Sequence, residues 1–110
     1  MTIESCMHLV DTMMPNRIPE AVKRRFLGEA EGRVMVELLG HETKDVSPID
    51  TATPAATELS APHPYDQLYW LYVVAMMECM TGDTARYENA AALFNTVFHS
   101  YGKFLKRRGA

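Results

Sequence analysis

Apolar positions recur at helical spacing in four stretches of the chain. Ile3, Met7, Val10 and Met14 step by three and four and predict a first helix over Ile3 to Met14. Thr2 is placed to cap its N-terminus, Glu4 falls in its first turn, and Pro15-Asn16 ends it. Val22, Phe26, Ala30, Val34 and Leu38 step by four and predict a second helix from Pro19 to about Leu39, with Gly40 as its stop. Gly28 and Gly32 interrupt that helix and each lowers helix propensity by about 1 kcal/mol relative to Ala. Two readings are open for this pair: close approach of another backbone, or tolerated surface glycine.

The pattern disappears from His41 to Pro64, where Pro48, Pro54, Pro62 and Pro64 punctuate a stretch rich in Thr, Ser, Ala and Asp. A loop of that length in a small domain is either functional or disordered. Apolar character returns from Tyr65 to Met80. Between Leu68 and Met77 it covers the whole helical circumference, which predicts a helix buried on every side. Gly82 caps that helix and Asp83 starts the next, which carries Tyr87, Ala91, Phe94, Phe98, Tyr101 and Leu105 on one face to about Arg108. The short Thr81-Gly82 connection predicts an antiparallel hairpin. The expected architecture is therefore all-α: one small four-helix domain over residues 1–110, with a long central loop at 41–64 and a C-terminal helix hairpin. A domain this small has few ways to enclose an all-round apolar helix. The sequence thus predicts that a neighbouring subunit covers its surplus face.

Composition narrows the function classes. A hydrophobic fraction of 47% and a charged fraction of 23% suit a globular chain. The net charge of −3 argues against a dedicated DNA-binding module. The charge is uneven, with cationic clusters at Lys23-Arg24-Arg25 and at Lys103, Lys106, Arg107 and Arg108, and an acidic middle. The plain reading of the second cluster is a cation-rich helix end favoured by the helix dipole. Cys6 and Cys79 both lie in apolar runs and read as reduced, buried thiols of a cytosolic protein. The start Met1-Thr2-Ile3-Glu4 lacks the features of a secretory leader, and the longest apolar run falls well short of the about 20 residues that span a bilayer. No membrane contact is expected.

Candidate chemistry is sparse. The four histidines are scattered, and Glu4-x-x-x-His8 is a weak metal signal beside the paired Glu-x-x-His of di-iron bundles. No phosphate-binding glycine loop and no nucleophile signature occurs, and Ser5 and Ser100 have no evident base. Glu29, Glu31 and Glu37 read as a solvated helix face. No cofactor or metal is expected, and the chain reads as non-enzymatic. The runner-up readings are a small helical regulatory or nucleic-acid-associated protein using the two cationic clusters and, further behind, a small hydrolase.

Three segments taken together resemble a known class. They are "PNRIPEAVKRRFLGEAEGRVMVELL", "ELSAPHPYDQLYWLY" and "GDTARYENAAALFN". The Pro-Tyr-Asp-x-Leu-Tyr and Gly-Asp-x-x-Arg-Tyr-x-Asn elements are the distinctive ones. They resemble small helical proteins of prophages and tailed phages of Firmicutes, of the head–tail connector (adaptor) class. The central loop matches nothing in that pattern. The resemblance implies a structural subunit that self-associates, as a ring, between portal and tail-side proteins. It also implies a location in the bacterial host cytoplasm and then at the head–tail junction of the virion. On this view Tyr65, Asp66, Tyr69, Trp70 and Tyr72 serve helix packing and the assembly interface. Arg86, Tyr87 and Asn89 fix the hairpin corner. Lys103, Lys106, Arg107 and Arg108 meet an acidic partner or, weakly and transiently, passing DNA. Core packing, capping and a solvated tail are the respective alternatives.

Overall fold

A computed structural model of the chain describes residues 1–109 and contains four α-helices: α1 (Ile3–Met13), α2 (Glu20–Arg33), α3 (Gln67–Thr81) and α4 (Thr84–Arg107). The only strand-like pairing among the described residues is an isolated antiparallel bridge between Thr2 and Glu58. The Cα radius of gyration is 13.6 Å, close to the roughly 13 Å of a compact domain of about 100 residues.

Helix boundaries follow local chemistry. Thr2 caps α1 by accepting the Ser5 N–H at 3.1 Å. Pro19 is the residue before α2 rather than its first helical position, with extended ψ of 141°. The last turn of the second helix widens into a π-helical turn over Val34–Leu38, after which Gly40 leaves at φ 78°. α3 begins at Gln67, two residues later than the hydrophobic pattern predicts. Tyr65 and Asp66 instead complete a turn whose N–H groups both bond the Pro62 carbonyl. Gly82, at φ 81°, reverses the chain, and the Asp83 carboxylate accepts the Arg86 N–H at 3.0 Å to start α4.

α3 is the hub of the fold and packs against α4, α2 and α1. The reversal at Gly82 makes α3 and α4 an antiparallel pair. Tyr65, just before α3, stacks on Tyr101 near the end of α4 with ring centroids 5.1 Å apart, while Tyr72 meets Phe94 edge-on, also at 5.1 Å. Leu68, Tyr69, Val73 and Met77 are fully enclosed, and no residue from Leu68 to Met77 is exposed. The expectation that a lone chain cannot hide this helix is therefore corrected. Three neighbouring helices and the central loop cover it.

The loop makes that possible. Residues 41–64 are laid across the helices as a strap whose only helical piece is a short 3-10 turn, Thr43–Asp45. Ile49, Leu59 and Ala61 are buried in the core. The Ile3 and Glu4 N–H groups, unpaired within the first turn of α1, bond the Thr57 and Ala55 carbonyls at 3.1 and 3.0 Å. Gly28 resolves the choice posed by the sequence. A Cβ there would stand 2.9 Å from the Ile49 backbone N, so close backbone approach is the reason for this glycine. At Gly32 the nearest atom would be Val46 Cγ1 at 3.5 Å, an ordinary contact.

Candidate functional surfaces

The aromatic set that the sequence assigns to assembly does not form one surface patch. Tyr69 has no exposed surface. Its hydroxyl donates to Glu31 Oε1 at 2.6 Å and accepts the Ala61 N–H at 2.8 Å. Burial first, and then the Glu31 charge, raise its pKa far above the ordinary phenol value. Tyr65 is half-buried against Tyr101 and Phe104. Asp66 lies 3.8 Å from His63 Nδ1 and 3.7 Å from the α-amino group of Met1. Tyr72 is half-buried and donates to Glu29 Oε2 at 3.0 Å. Burial and that carboxylate push its pKa up to about 12. Trp70 is half-buried against the core. In this fold Tyr69 and Tyr72 tie α3 to α2, Tyr65 and Tyr72 pack it on α4, and Tyr69 is not available to a partner.

Glu31 is the residue that sequence reasoning missed. Read as part of a solvated face, it instead accepts the Tyr69 hydroxyl, the Ser60 N–H at 2.9 Å and the Ser60 hydroxyl at 2.9 Å. Helical spacing sets Glu31 one turn from Leu27, Val34 and Met35 but says nothing of a loop 29 residues away.

At the hairpin corner, the fold divides the three predicted residues. Arg86 contributes its backbone N–H to the Asp83 cap, and its exposed guanidinium lies 3.4 Å from the same carboxylate. Tyr87 is half-buried and lines a small pocket of about 130 Å³ with Arg33, Tyr72 and Phe94. Asn89 is exposed. Gly82 and Asp83, rather than Tyr87 or Asn89, set the corner.

The two cationic clusters have different fates. Lys23 and Arg24 are 5% and 6% exposed, which removes the first cluster from the surface and leaves only Arg25 there. Lys23 Nζ donates to Asp11 Oδ1 at 2.7 Å. Arg24 Nε donates to Glu20 at 3.1 Å, and its Nη1 donates to the Asp50 and Thr53 carbonyls at 2.9 and 2.7 Å, tying the loop to α2. The nucleic-acid reading thereby loses Lys23 and Arg24 from its cationic footprint. Lys103, Lys106, Arg107 and Arg108 are all exposed, as expected, with the Arg108 guanidinium 5.4 Å over the Phe104 ring. A second guanidinium, that of Arg33, covers the Phe94 and Phe98 rings at 5.4 and 4.8 Å.

Between α1, α2 and the loop lies an open cleft of about 610 Å³ lined by Glu4, Ser5, His8, Asp11, Glu20 and Arg24 among others. Glu4, His8 and Asp11 share this side of α1 by their spacing of four and three. The weak Glu4–His8 signal in the sequence was thus the trace of a polar wall. Asp11 is held below the ordinary carboxylate range. Its partial burial acts in the other direction, but the hydrogen bonds from Lys23 and Asn16 and the Lys23 charge outweigh it. Ser5 Oγ accepts from Thr2 Oγ1 at 2.9 Å, an arrangement that caps the helix and does not activate a nucleophile. No group of three or more His, Cys, Asp or Glu side chains among the described residues could hold a metal ion.

Cys6 is buried as expected, and burial pushes its thiol up to about 12. Cys79 is exposed, contrary to expectation, because it lies on the outer side of α3 near the hairpin corner. Met13, Met80 and Leu93 are each 56% exposed and are the most open of the large apolar side chains. No described helix is long and apolar enough to cross a membrane. No protein-family model matches the chain, and neither a curated protein nor a solved structure matches it.

Proposed function

We propose that the chain is a non-enzymatic assembly subunit of the head–tail connector (adaptor) class, one that joins a ring between a phage portal and the tail. On this reading it is made in the bacterial host cytoplasm and ends at the head–tail junction of the virion. The observation that carries the reading is the outer side of α4. This helix of 24 residues has Leu93 more than half exposed in its middle and four exposed cations at its end. A ring subunit must meet two neighbours through different faces, and such a helix offers both apolar area and charge. Covering a large apolar side chain fully contributes about 1.5–3 kcal/mol, so half-exposed Leu93, Met80 and Met13 together contribute enough to bias association without forcing it.

The resemblance supports the same reading through the fold. The Pro-Tyr-Asp-x-Leu-Tyr segment builds the entry to α3, and the Gly82-Asp83 start of the Gly-Asp-x-x-Arg-Tyr-x-Asn segment builds the α3–α4 corner. These distinctive segments are the parts that specify the hairpin. Assembly in this reading falls to the outer surfaces, not to the aromatic set around Tyr69.

The test is mass measurement in solution, by light scattering coupled to gel filtration, with and without portal protein, followed by electron microscopy of any large species. Ring-sized species, alone or on the portal, are expected. A strictly monomeric chain with no affinity for portal would sink the proposal.

A further inference from the structure

We infer that the cationic end of α4 docks in the α1–α2 cleft of a second copy of the chain, as a head-to-tail contact. This rests on the assembly reading above and names its two faces. Lys103, Lys106, Arg107 and Arg108 are exposed, and none has a carboxylate within ion-pair distance among the described residues. The helix dipole favours cations only within the last turn, and Lys103 lies outside it.

The complementary face is on the same chain, but its own tail does not line it. α4 packs on α3 and on the π-helical turn, whereas the cleft is formed by α1, α2 and the loop, and none of the four cations lines it. The cleft holds Glu4, Asp11 and Glu20. Glu4 has no cationic partner among the described residues. Asp11 and Glu20 spend one oxygen each on Lys23 and Arg24, and their side chains are 50% and 56% exposed. The second oxygen of each makes no hydrogen bond within the described residues, so three carboxylates can still accept. Three carboxylates against two internal cations leave the cleft negative. At about 610 Å³ it has room for long cationic side chains. The cationic end and the cleft are different surfaces, so their pairing is heterologous and repeats from copy to copy, which is the geometry a ring requires. Exposed ion pairs are individually weak and screened by salt, so the contact is labile in solution and strengthened where copies are gathered on a template.

The experiment uses the full chain, mixed as equal parts of 14N- and 15N-labelled protein and treated with a zero-length carbodiimide. Links that join the two isotopes, from Lys103 or Lys106 to Glu4, Asp11 or Glu20, are expected. Their yield should fall about fivefold or more as salt rises from roughly 50 to 500 mM. Reversing the tail (Lys103→Glu with Lys106→Glu) removes the reacting amines and serves as the control. Mixing that variant with Glu4→Lys chains should restore a link with the roles exchanged. All three positions are exposed, and circular dichroism checks that each variant folds. Absence of mixed-isotope links from the wild-type tail, or no link in the charge-swapped mixture, overturns the inference. Rings on the portal without these links would leave the assembly reading standing and this contact refuted. Links in solution without any portal affinity would do the reverse.

Discussion

The Tyr69 hydroxyl and the Glu31 carboxylate meet at 2.6 Å, joining α3 to α2, and the same hydroxyl accepts the N–H of Ala61 from the loop. Two helices and the strap thus converge on one buried oxygen. Tyr69→Phe leaves the Ala61 N–H without its acceptor and Glu31 without its shortest donor. A loss of about 1–3 kcal/mol is expected, read by urea or thermal unfolding. An unchanged midpoint would show that the node is ornamental.

The same contacts set an alkaline limit. Tyr69, Tyr72 and Tyr101 all have pKa values raised above the ordinary 10, first by burial and then, for Tyr69 and Tyr72, by Glu31 and Glu29. A raised phenol holds its proton in the folded state after the unfolded chain has lost it. The stability this contributes is complete below pH 10 and declines as pH rises from 10 through about 12, where Tyr72 titrates. Tyrosinate absorbance and circular dichroism, followed together, should show the late-titrating tyrosines ionising with loss of helix. Full ionisation of every tyrosine by pH 10.5 with the helices intact would contradict this.

Gly28 and Gly32 predict opposite signs for the same substitution. Gly28→Ala gains helix propensity but sets a Cβ 2.9 Å from the Ile49 N, a rigid backbone atom. The strap must move, and a net loss of about 1–3 kcal/mol is expected. Gly32→Ala meets only Val46 Cγ1 at 3.5 Å and should raise stability by about 0.5–1 kcal/mol. Thermal melts of the two variants decide the matter, and equal shifts would refute the account.

Lys23 and Asp11 form a lopsided pair: the lysine side chain is 7% exposed and the aspartate 50%. Asp11→Asn strands an ammonium that is out of water, while Lys23→Met frees a carboxylate that remains in it. Asp11→Asn should therefore cost more, by about 1 kcal/mol, a figure discounted from fully buried pairs because Asp11 is half in solvent. The pH dependence has a definite sign. Asp11 is held below its ordinary 3.8 when folded, so its contribution is present above about pH 4 and is lost as pH falls through the lowered value. Wild type and Asp11→Asn should converge in stability in that acid range. Equal destabilisation by the two substitutions would refute the picture.

The cysteines should separate cleanly under a thiol reagent. Cys79 is exposed and should react in the native state, while Cys6, buried with its thiol raised to about 12, should react only on unfolding. Rapid native labelling of both would place α1 differently from the structure described above.

The four helices were legible in the order of residues, because each amphipathic stripe and each cap acts within one turn. Thr2, Gly40, Gly82 and Asp83 punctuate the chain for reasons present in their neighbours alone. The hydrophobic pattern starts α3 two residues early because Tyr65 is apolar enough to extend it, while Pro62 pulls Tyr65 into a turn. The surface was far less legible. Lys23 and Arg24 look solvated in sequence, yet Arg24 is buried by carbonyls at Asp50 and Thr53.

What the sequence determined by itself was the set of helices, their caps and the short turn that joins the last two. Tertiary structure alone decided that the strap over residues 41–64 closes the core, that the apolar third helix is hidden within its own chain, and that Glu31 binds the strap and Tyr69 instead of facing open solvent. Helical periodicity records which side chains avoid water, but the partner that shields them is chosen by contacts across tens of residues. Those contacts leave no local pattern.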